Sequence, residues 1–178
     1  MAGVSVPFGS DAYWMLLVLL VLARGADFLS TWIATPNLVL EANPVARFLG
    51  WRGGFIVNLA VCWVCALWPL PAIMLVTTSC LVATRNFQSA WIMKTLGETQ
   101  YRAWFSAQLF QASKGLFIAC TAAQVVLMSG LGALLVLFSE QQVVPLAVGL
   151  GMITFAVAVL FFTTLSVWRR FTSRAHLD

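Results

Sequence analysis

Three charged residues stand inside long apolar stretches of this sequence: Arg24, Asp27 and Arg85. A charge near the middle of a membrane-spanning helix costs about 2.5–3.5 kcal/mol, so such residues usually face protein and have partners. At 1.5 Å per helical residue, counted from the predicted helix ends, Asp27 and Arg85 lie at similar depths. Asn58 and Asn86 fall near the same level. We therefore predict a polar cluster inside a helical bundle.

Helical spacing groups these residues on two faces. Arg24, Asp27 and Thr31 are spaced i, i+3, i+7 and share one face, while Arg85 lies on a polar face of a later helix. If the two faces meet, Asp27 is surrounded by arginine and amide groups. The predicted ligand or ion site then comprises Asp27, Thr31, Glu41, Asn43, Asn58, Arg85 and Asn86.

Two interpretations of this cluster stay open. In the structural one, Asp27 pairs with Arg24 or Arg85 and the ion pair holds the bundle together, as polar contacts do between membrane helices. In the functional one, the cluster is a ligand, ion or proton site open to the cytoplasm. Carboxylates and amides could hold Mg²⁺ or Ca²⁺. The neighbouring arginines favour an anionic group such as a lipid phosphate.

The composition places the whole chain in a membrane. Of its 178 residues, 61% are hydrophobic and 9% are charged, and the mean hydropathy is +0.93. A soluble domain is roughly 45–50% apolar and about 25% charged. These values exclude a water-soluble globule, a disordered chain and a disulfide-stapled secreted module. We predict a single integral membrane domain over residues 1–178.

The residue types also exclude several functions. With one histidine, His176, the chain lacks the ligands of a bis-histidine haem, a histidine-rich metal site or a HExxH helix. We expect no cofactor, metal or haem, although a bound lipid fits the basic residues. No nucleophile elbow or phosphate-cradling glycine loop occurs, so the sequence favours a protein that is not an enzyme.

Hydropathy and turn residues define an all-α bundle with five spans. A spanning helix needs about 20 mostly apolar residues, and Pro or Gly with polar neighbours marks the breaks. The predicted spans are residues 12–34, 53–68, 72–94, 115–138 and 144–168. We also predict a short helix at 44–50, capped by Asn43 ahead of Pro44. Residues 100–114 are predicted to form an interfacial or extended helix.

The basic residues predict the orientation in the membrane. Lysine and arginine are enriched in the cytoplasmic loops of membrane proteins. Here they follow the first, third and fifth predicted spans: Arg47, Arg52, Lys94, Arg102, Lys114, Arg169, Arg170 and Arg174. The opposite loops, 69–71 and 139–142, carry none. We predict an external N-terminus and a cytoplasmic C-terminus in the cell (inner) membrane.

Small residues are concentrated in the last two predicted spans. Such residues let membrane helices approach closely. The set comprises Ser129, Gly130, Gly132, Ala133, Ala147, Gly149 and Gly151. We predict that these residues pack the two spans against each other across their hairpin.

One part of the chain resembles a known group of proteins. Asp27-Phe-Leu-Ser-Thr31, followed by Glu41-Ala-Asn43-Pro44, is similar to the signature of a family of small, uncharacterised bacterial multi-pass membrane proteins. That signature is Asp-x3-Thr near the end of the first helix and then Glu-x-Asn-Pro. The resemblance covers roughly residues 20–60 and implies that these polar residues belong together. Family members often have a lysine early in the second helix, where this chain has Asn58.

These observations leave two classes of function. The first is a non-catalytic membrane subunit or interaction module of a larger complex, with the lipid bilayer and other membrane proteins or a second copy as partners. The second is a small transporter or intramembrane enzyme that uses Asp27, Arg85 and Glu41 to bind an ion or an anionic lipid headgroup. The net charge of +4 lies mainly at helix ends, so nucleic acid is not expected as a partner.

Overall fold

The computed structural model describes residues 5–41, 43–111 and 113–174. Side chains are described as far as Val167, apart from those of Phe110 and Lys114. The predicted orientation rests partly on the side chains of Lys114, Arg169, Arg170 and Arg174, which lie outside the described residues, as do His176 and Asp178.

The described chain is all-helical and contains no β-strand. The helices are α1 (Asp11–Ala34), α2 (Pro44–Cys65), α3 (Pro69–Leu96), α4 (Glu98–Gln111), α5 (Lys114–Leu137) and α6 (Val143–Arg174). All except α4 are long and apolar enough to cross a membrane. The prediction of a helical bundle with five apolar, span-length helices is confirmed.

Local residue types explain where the helices begin and end. The Asn43 side chain caps α2 by accepting a hydrogen bond from the Val45 amide at 2.9 Å. Gly97, with a φ of +79°, ends α3 in a conformation that favours glycine. Gly50, with a φ of +60°, interrupts α2 and separates residues 44–49 from the longer part of the helix. That longer part stops at Cys65, before the predicted end at 68, because the chain turns ahead of Pro69.

Helices α1 and α3 form the most extensive helix pair in the bundle. Arg24 contacts Ser79, and Ser30 and Thr31 contact Asn86, so the paired residues differ by 55 or 56 positions. A constant difference means that the two helices run in the same direction. The face of α3 that α1 covers carries small buried residues: Ala72, Ser79, Ala83 and Ala90. Small side chains allow the close approach.

Helices α5 and α6 pack closely at two glycines. A Cβ atom at Gly132 would lie 2.6 Å from the Gly149 carbonyl oxygen, and one at Gly149 would lie 2.5 Å from that of Gly132. The backbones therefore meet where only glycine fits. Gly151 faces α3 instead, with Thr77 Cβ at 2.8 Å from a Cβ built on it. At Gly130 such an atom would meet nothing within 4 Å in the described chain.

The other small residues of the predicted set divide in the same way. Ala147 on α6 is fully buried, whereas Ala133 on α5 is exposed and Ser129 is half-buried. The Ser129 hydroxyl donates a hydrogen bond to the Val125 carbonyl at 2.7 Å. The predicted hairpin contact is thus made by part of the set, and the Gly130 and Ala133 positions face away from it.

Helix α2 lies beside α1 and runs in the opposite direction. Tyr13 donates its hydroxyl proton to the Trp63 carbonyl at 3.3 Å. Nearer the other end of α2, the rings of Phe28 and Trp51 are 4.9 Å apart. Cys62 is the buried residue of α2 within the described chain. At the Cys62 end, α2 joins a packed apolar core, whereas its other end borders a cavity.

Candidate functional site

A cavity of about 820 Å³ lies at the end of the bundle where α1 and α3 finish and α2 begins. All seven predicted ligand-site residues line it, and so does Arg24. The charged side chains among the lining residues are Arg24, Asp27, Glu41 and Arg85. The predicted polar residues therefore border one common space, although they do not all contact one another.

Arg24 joins three helices. Its Nε donates to Asn58 Oδ1 of α2 at 2.7 Å, and one terminal nitrogen also bonds to this oxygen. The other terminal nitrogen donates to Asp27 Oδ2 at 3.0 Å and to Ser79 Oγ of α3 at 3.2 Å. Asn58 is itself oriented by a 2.7 Å bond from its amide nitrogen to the Gly54 carbonyl. The Arg24 guanidinium is therefore a structural link between α1, α2 and α3.

Asp27 forms its ion pair with Arg24, one helical turn away. The pair is not sealed, because 27% of the Arg24 side chain and 18% of the Asp27 side chain remain exposed. The Asp27 carbonyl oxygen accepts bonds from Ser30 Oγ at 2.8 Å and from Thr31 Oγ1 at 3.0 Å. Those two hydroxyls in turn accept from Asn86 Nδ2 at 3.3 and 3.2 Å. Thr31 and Asn86 thus connect α1 to α3 beside the ion pair.

Arg85 does not join this hydrogen-bond network, although it lines the same cavity as Asp27. The α3 residues that contact α1 are Ser79 and Asn86. Arg85 precedes Asn86 and is therefore rotated by about 100° around the helix. Its half-buried guanidinium has no hydrogen bond or ion pair with any described residue. Burial of small residues, rather than charge pairing, decides which face of α3 meets α1.

The neighbour of Arg85 is α6. Thr78 donates to the Gly151 carbonyl at 3.0 Å, an offset of 73 positions. Because helical positions seven apart share a face, Arg85 lies on the Thr78 face of α3. The same offset places Arg85 level with Ala158, which also lines the cavity.

Glu41 and Asn43 lie in the loop that enters α2. The Asn43 amide donates to Glu41 Oε1 at 2.7 Å while the Asn43 side chain caps the helix. Glu41 is half-buried and lines the cavity. Its second carboxylate oxygen has no partner in the part of the chain that the structure describes. The loop therefore holds a carboxylate at the cavity mouth.

Sequence reasoning missed Glu98, which fixes the same loop. Its carboxylate accepts bonds from Thr35 Oγ1 at 2.8 Å, from the Asn37 amide at 2.8 Å, from Asn37 Nδ2 at 3.0 Å and from the Val39 amide at 3.0 Å. Partial burial raises the pKa of Glu98, but these hydrogen bonds outweigh burial and hold that pKa below the usual glutamate range. The available signal was an acidic residue directly after Gly97, at a helix start.

Ser30 and Ser79 were also missed, although both are buried where α1 meets α3. The signal was the spacing of small residues. Ala72, Ser79, Ala83 and Ala90 recur every seven or four positions on α3, which is the pattern of a close helix–helix contact. Reading that stripe first would have placed Arg85 off the α1 face.

The charged groups that line the cavity are two guanidiniums and two carboxylates. Arg24 and Asp27 are paired with each other, which leaves Arg85 and Glu41. Within the described ranges, no group of three or more His, Cys, Asp or Glu residues is arranged to hold a metal.

Comparison of the chain with known protein families, curated proteins and solved structures finds no match. The resemblance over residues 20–60 therefore stays a prediction. The function must be inferred from the cavity itself.

Proposed function

We propose that this protein is a multi-pass protein of the cytoplasmic membrane that binds the phosphate of a lipid headgroup in its cavity, with Arg85 as the phosphate ligand. The observation that carries this proposal is the state of Arg85. Its guanidinium is half-buried in a candidate span, borders a cavity of about 820 Å³ and has no described anionic partner.

An arginine inside a membrane span is energetically costly. Such a group is retained where an anion, acceptors or water stabilise it. A guanidinium presents donors in a fixed fork that matches two phosphate oxygens, and charge-assisted bidentate bonds are among the strongest in proteins. Arg24 already uses its donors in hydrogen bonds to Asn58 and Asp27, so binding a phosphate there would disrupt those bonds. Arg85 can bind a ligand without breaking any described contact.

The shape of the cavity fits a lipid better than a small free anion. Ligand sites commonly measure about 300–1,000 Å³ and combine apolar walls with a few polar groups. Here Arg85, Asn86 and Ser89 provide polar groups, while Phe155 and Phe162 of α6 provide an apolar wall. A headgroup at the polar residues leaves the apolar wall for the beginning of an acyl chain.

The orientation predicted from the loops supports access from the cytoplasmic leaflet. Arg47, Arg52, Lys94 and Arg102 all lie at the end of the bundle where the cavity is found. Lysine and arginine residues at one end of a helical bundle keep that end on the cytoplasmic side and attract anionic headgroups. Reporter fusions after Asp178 and in the 139–142 loop test this: the first should be active only in the cytoplasm and the second only outside.

Lipid retention tests the binding itself. The protein is purified in a mild detergent, and native mass spectrometry counts the phospholipids that remain bound. The wild type should retain phospholipid, and Arg85→Gln should retain at least about tenfold less, since it loses a charge-assisted bidentate contact. Arg102→Gln is the matched control, because Arg102 is exposed and does not line the cavity.

The outcomes separate clearly. Retention lost only in Arg85→Gln, with unchanged helix content and elution volume, supports the proposal. Equal retention in the wild type, Arg85→Gln and Arg102→Gln contradicts it, as does a wild type that holds no phospholipid. Arg85→Lys keeps the charge without the fork and should show intermediate retention.

The second candidate function is that of a non-catalytic membrane subunit or interaction module. The observation that favours it is the outer face of α5, where Gly130 and Ala133 are exposed instead of packing on α6. Exposed small residues on a span suit close contact with another helix. Native mass spectrometry at increasing detergent tests this: a mass that requires a second protein chain beside the 19.5 kDa monomer and its lipids, and that Gly130→Leu reduces to the monomer, supports it, and a monomer throughout contradicts it.

A further inference from the structure

We infer that the bound headgroup is a zwitterion, an aminoalkyl phosphate such as the headgroup of phosphatidylethanolamine, with its phosphate at Arg85 and its ammonium at Glu41. This inference rests on the proposed function. It narrows the ligand from any phosphate-bearing lipid to one chemical class, and it adds Glu41 as the residue that selects the amine.

The first step is the balance of charge along the cavity wall. Two cations and two carboxylates line the cavity among the described residues. Arg24 and Asp27 neutralise each other at 3.0 Å. The two groups left over have opposite signs, Arg85 on α3 and Glu41 in the loop before α2. A ligand that matches both must carry one negative and one positive group.

The second step is the separation of these two groups. Both line one cavity, yet they form no ion pair with each other within 4.0 Å. Each of the two charges is therefore left without a described partner of opposite sign. An aminoalkyl phosphate carries a negative and a positive group on one carbon linker, so a single molecule offers a partner to each of them.

The third step is the carboxylate of Glu41, which has one oxygen engaged and one available. One carboxylate oxygen accepts the Asn43 amide proton at 2.7 Å, and the Glu41 amide donates to the Leu38 carbonyl at 3.4 Å. Glu98 fixes the segment that precedes Glu41 by accepting hydrogen bonds from the Asn37 and Val39 amides. The second oxygen has no described partner. A primary ammonium supplies three donors for such an oxygen.

The fourth step is selectivity against purely anionic lipids. A headgroup such as phosphatidylglycerol matches Arg85 through its phosphate, but its neutral glycerol leaves the Glu41 carboxylate without a cation. Specificity of this kind arises from a charge left unpaired by the wrong ligand as much as from attraction of the right one. Glu41 is consequently expected to lower the affinity for anionic lipids and raise the affinity for aminophospholipids.

A competition experiment tests this inference. Delipidated full-length protein is incubated with equimolar phosphatidylethanolamine and phosphatidylglycerol of identical acyl chains, and native mass spectrometry measures the bound ratio. The wild type should favour phosphatidylethanolamine roughly tenfold, as expected for one charge-assisted hydrogen bond. Glu41→Gln should bring the ratio close to one while retaining phosphatidylglycerol. The control, Glu140→Gln, changes an exposed residue outside the cavity and should keep the wild-type ratio.

A change in the ligand gives the same information without any variant. N-acyl phosphatidylethanolamine keeps the phosphate and lacks the ammonium, so the wild type should prefer unmodified phosphatidylethanolamine over it. Soluble phosphoethanolamine identifies the source of the headgroup. Displacement of bound lipid by the soluble compound at millimolar concentration shows that the headgroup alone is recognised, and lack of displacement shows that the lipid tails are required.

The outcomes distinguish the two proposals. A wild-type preference for phosphatidylglycerol, or a Glu41→Gln ratio equal to that of the wild type, overturns the zwitterion inference and leaves phosphate binding at Arg85 standing. Equal binding of the N-acylated lipid overturns it also. Failure of the wild type to hold either phospholipid overturns the proposed function itself.

Discussion

Arg24 on α1 and Arg85 on α3 have opposite surroundings. Arg24 donates hydrogen bonds to Asn58, Asp27 and Ser79 and connects three helices. Arg85 borders the same cavity and has no described hydrogen-bond or ion-pair partner. A charge of the first kind contributes to the fold, whereas one of the second kind stays available to a ligand.

The two carboxylates near the cavity mouth differ in the same way. Glu98 accepts four hydrogen bonds from the segment between α1 and α2. Glu41 accepts one, from the Asn43 amide. We call Arg24 and Glu98 the engaged pair and Arg85 and Glu41 the open pair. The comparison teaches that the engaged pair holds the helices and the loop around the cavity, whereas the open pair lines the cavity.

The largest expected effect separates the two arginines by stability. Arg24→Ala leaves the Asp27 carboxylate without its cation and should lower the free energy of unfolding by about 3 kcal/mol. Arg85→Ala removes a side chain without described polar partners and should change it by less than about 1 kcal/mol. Reversible unfolding in mixed micelles measures both. Equal destabilisation by the two substitutions would erase the distinction between the engaged and open pairs.

The next effect concerns the partners of Arg24. Asn58→Leu removes the amide oxygen that accepts two of its donors and should cost about 2 kcal/mol, the value of a hydrogen bond to a charged group. Asn86→Leu removes two longer bonds between uncharged groups and should cost about 0.6 kcal/mol. The same unfolding assay compares the two variants. A larger loss in Asn86→Leu would place the main α1–α3 link elsewhere.

A double-mutant cycle measures whether Asp27 interacts with Arg24 or with Arg85. Coupling between Arg24→Ala and Asp27→Ala should reach roughly 1 kcal/mol or more, because the two side chains are in contact. Coupling between Arg85→Ala and Asp27→Ala should stay below about 0.5 kcal/mol, as for sites without shared partners. Strong coupling in the second cycle would show that Asp27 and Arg85 are neighbours after all.

The smallest expected effect distinguishes the carboxylates. In the folded protein the pKa of Glu98 is lowered. The stability that the Glu98 carboxylate gives to the segment between α1 and α2 is therefore present at neutral pH and is lost as pH falls through that lowered pKa. Hydrogen exchange at the Asn37 and Val39 amides, corrected for intrinsic rates, should be constant from about pH 8 to 5 and accelerate below the usual glutamate pKa of about 4.3.

Substitution of Glu98 provides the control for this pH effect. Glu98→Gln should exchange roughly fivefold faster at these amides at neutral pH, for a net loss near 1 kcal/mol. It should also be insensitive to acid over the same range. Unchanged exchange in Glu98→Gln would mean that other contacts hold the segment.

Much of the architecture could be predicted because it follows from chain length in apolar surroundings. Long, mostly apolar stretches such as 12–34 and 144–168 are long enough to span a bilayer. The Arg24–Asp27 pair follows from i, i+3 spacing on one helix. Depth counted along each helix also placed Asn58 and Arg85 beside the cavity that Asp27 lines.

Hydropathy could not predict which face of α3 contacts α1. A span that is apolar on most sides has no single hydrophobic face, so charge pairing was used to orient Arg85. In the structure, small residues such as Ser79 and Ala83 decide the contact with α1, because they allow the backbones to approach. The Glu98 contacts depend on a loop conformation, which spacing alone does not encode.

The most direct test of the account is an experimental structure of the protein in nanodiscs that contain phosphatidylethanolamine and phosphatidylglycerol. The account predicts density for a lipid phosphate within hydrogen-bonding distance of the Arg85 guanidinium, while Arg24 remains bound to Asp27 and Asn58. An Arg85 side chain paired with Asp27 or Glu41 in a cavity without lipid would contradict it.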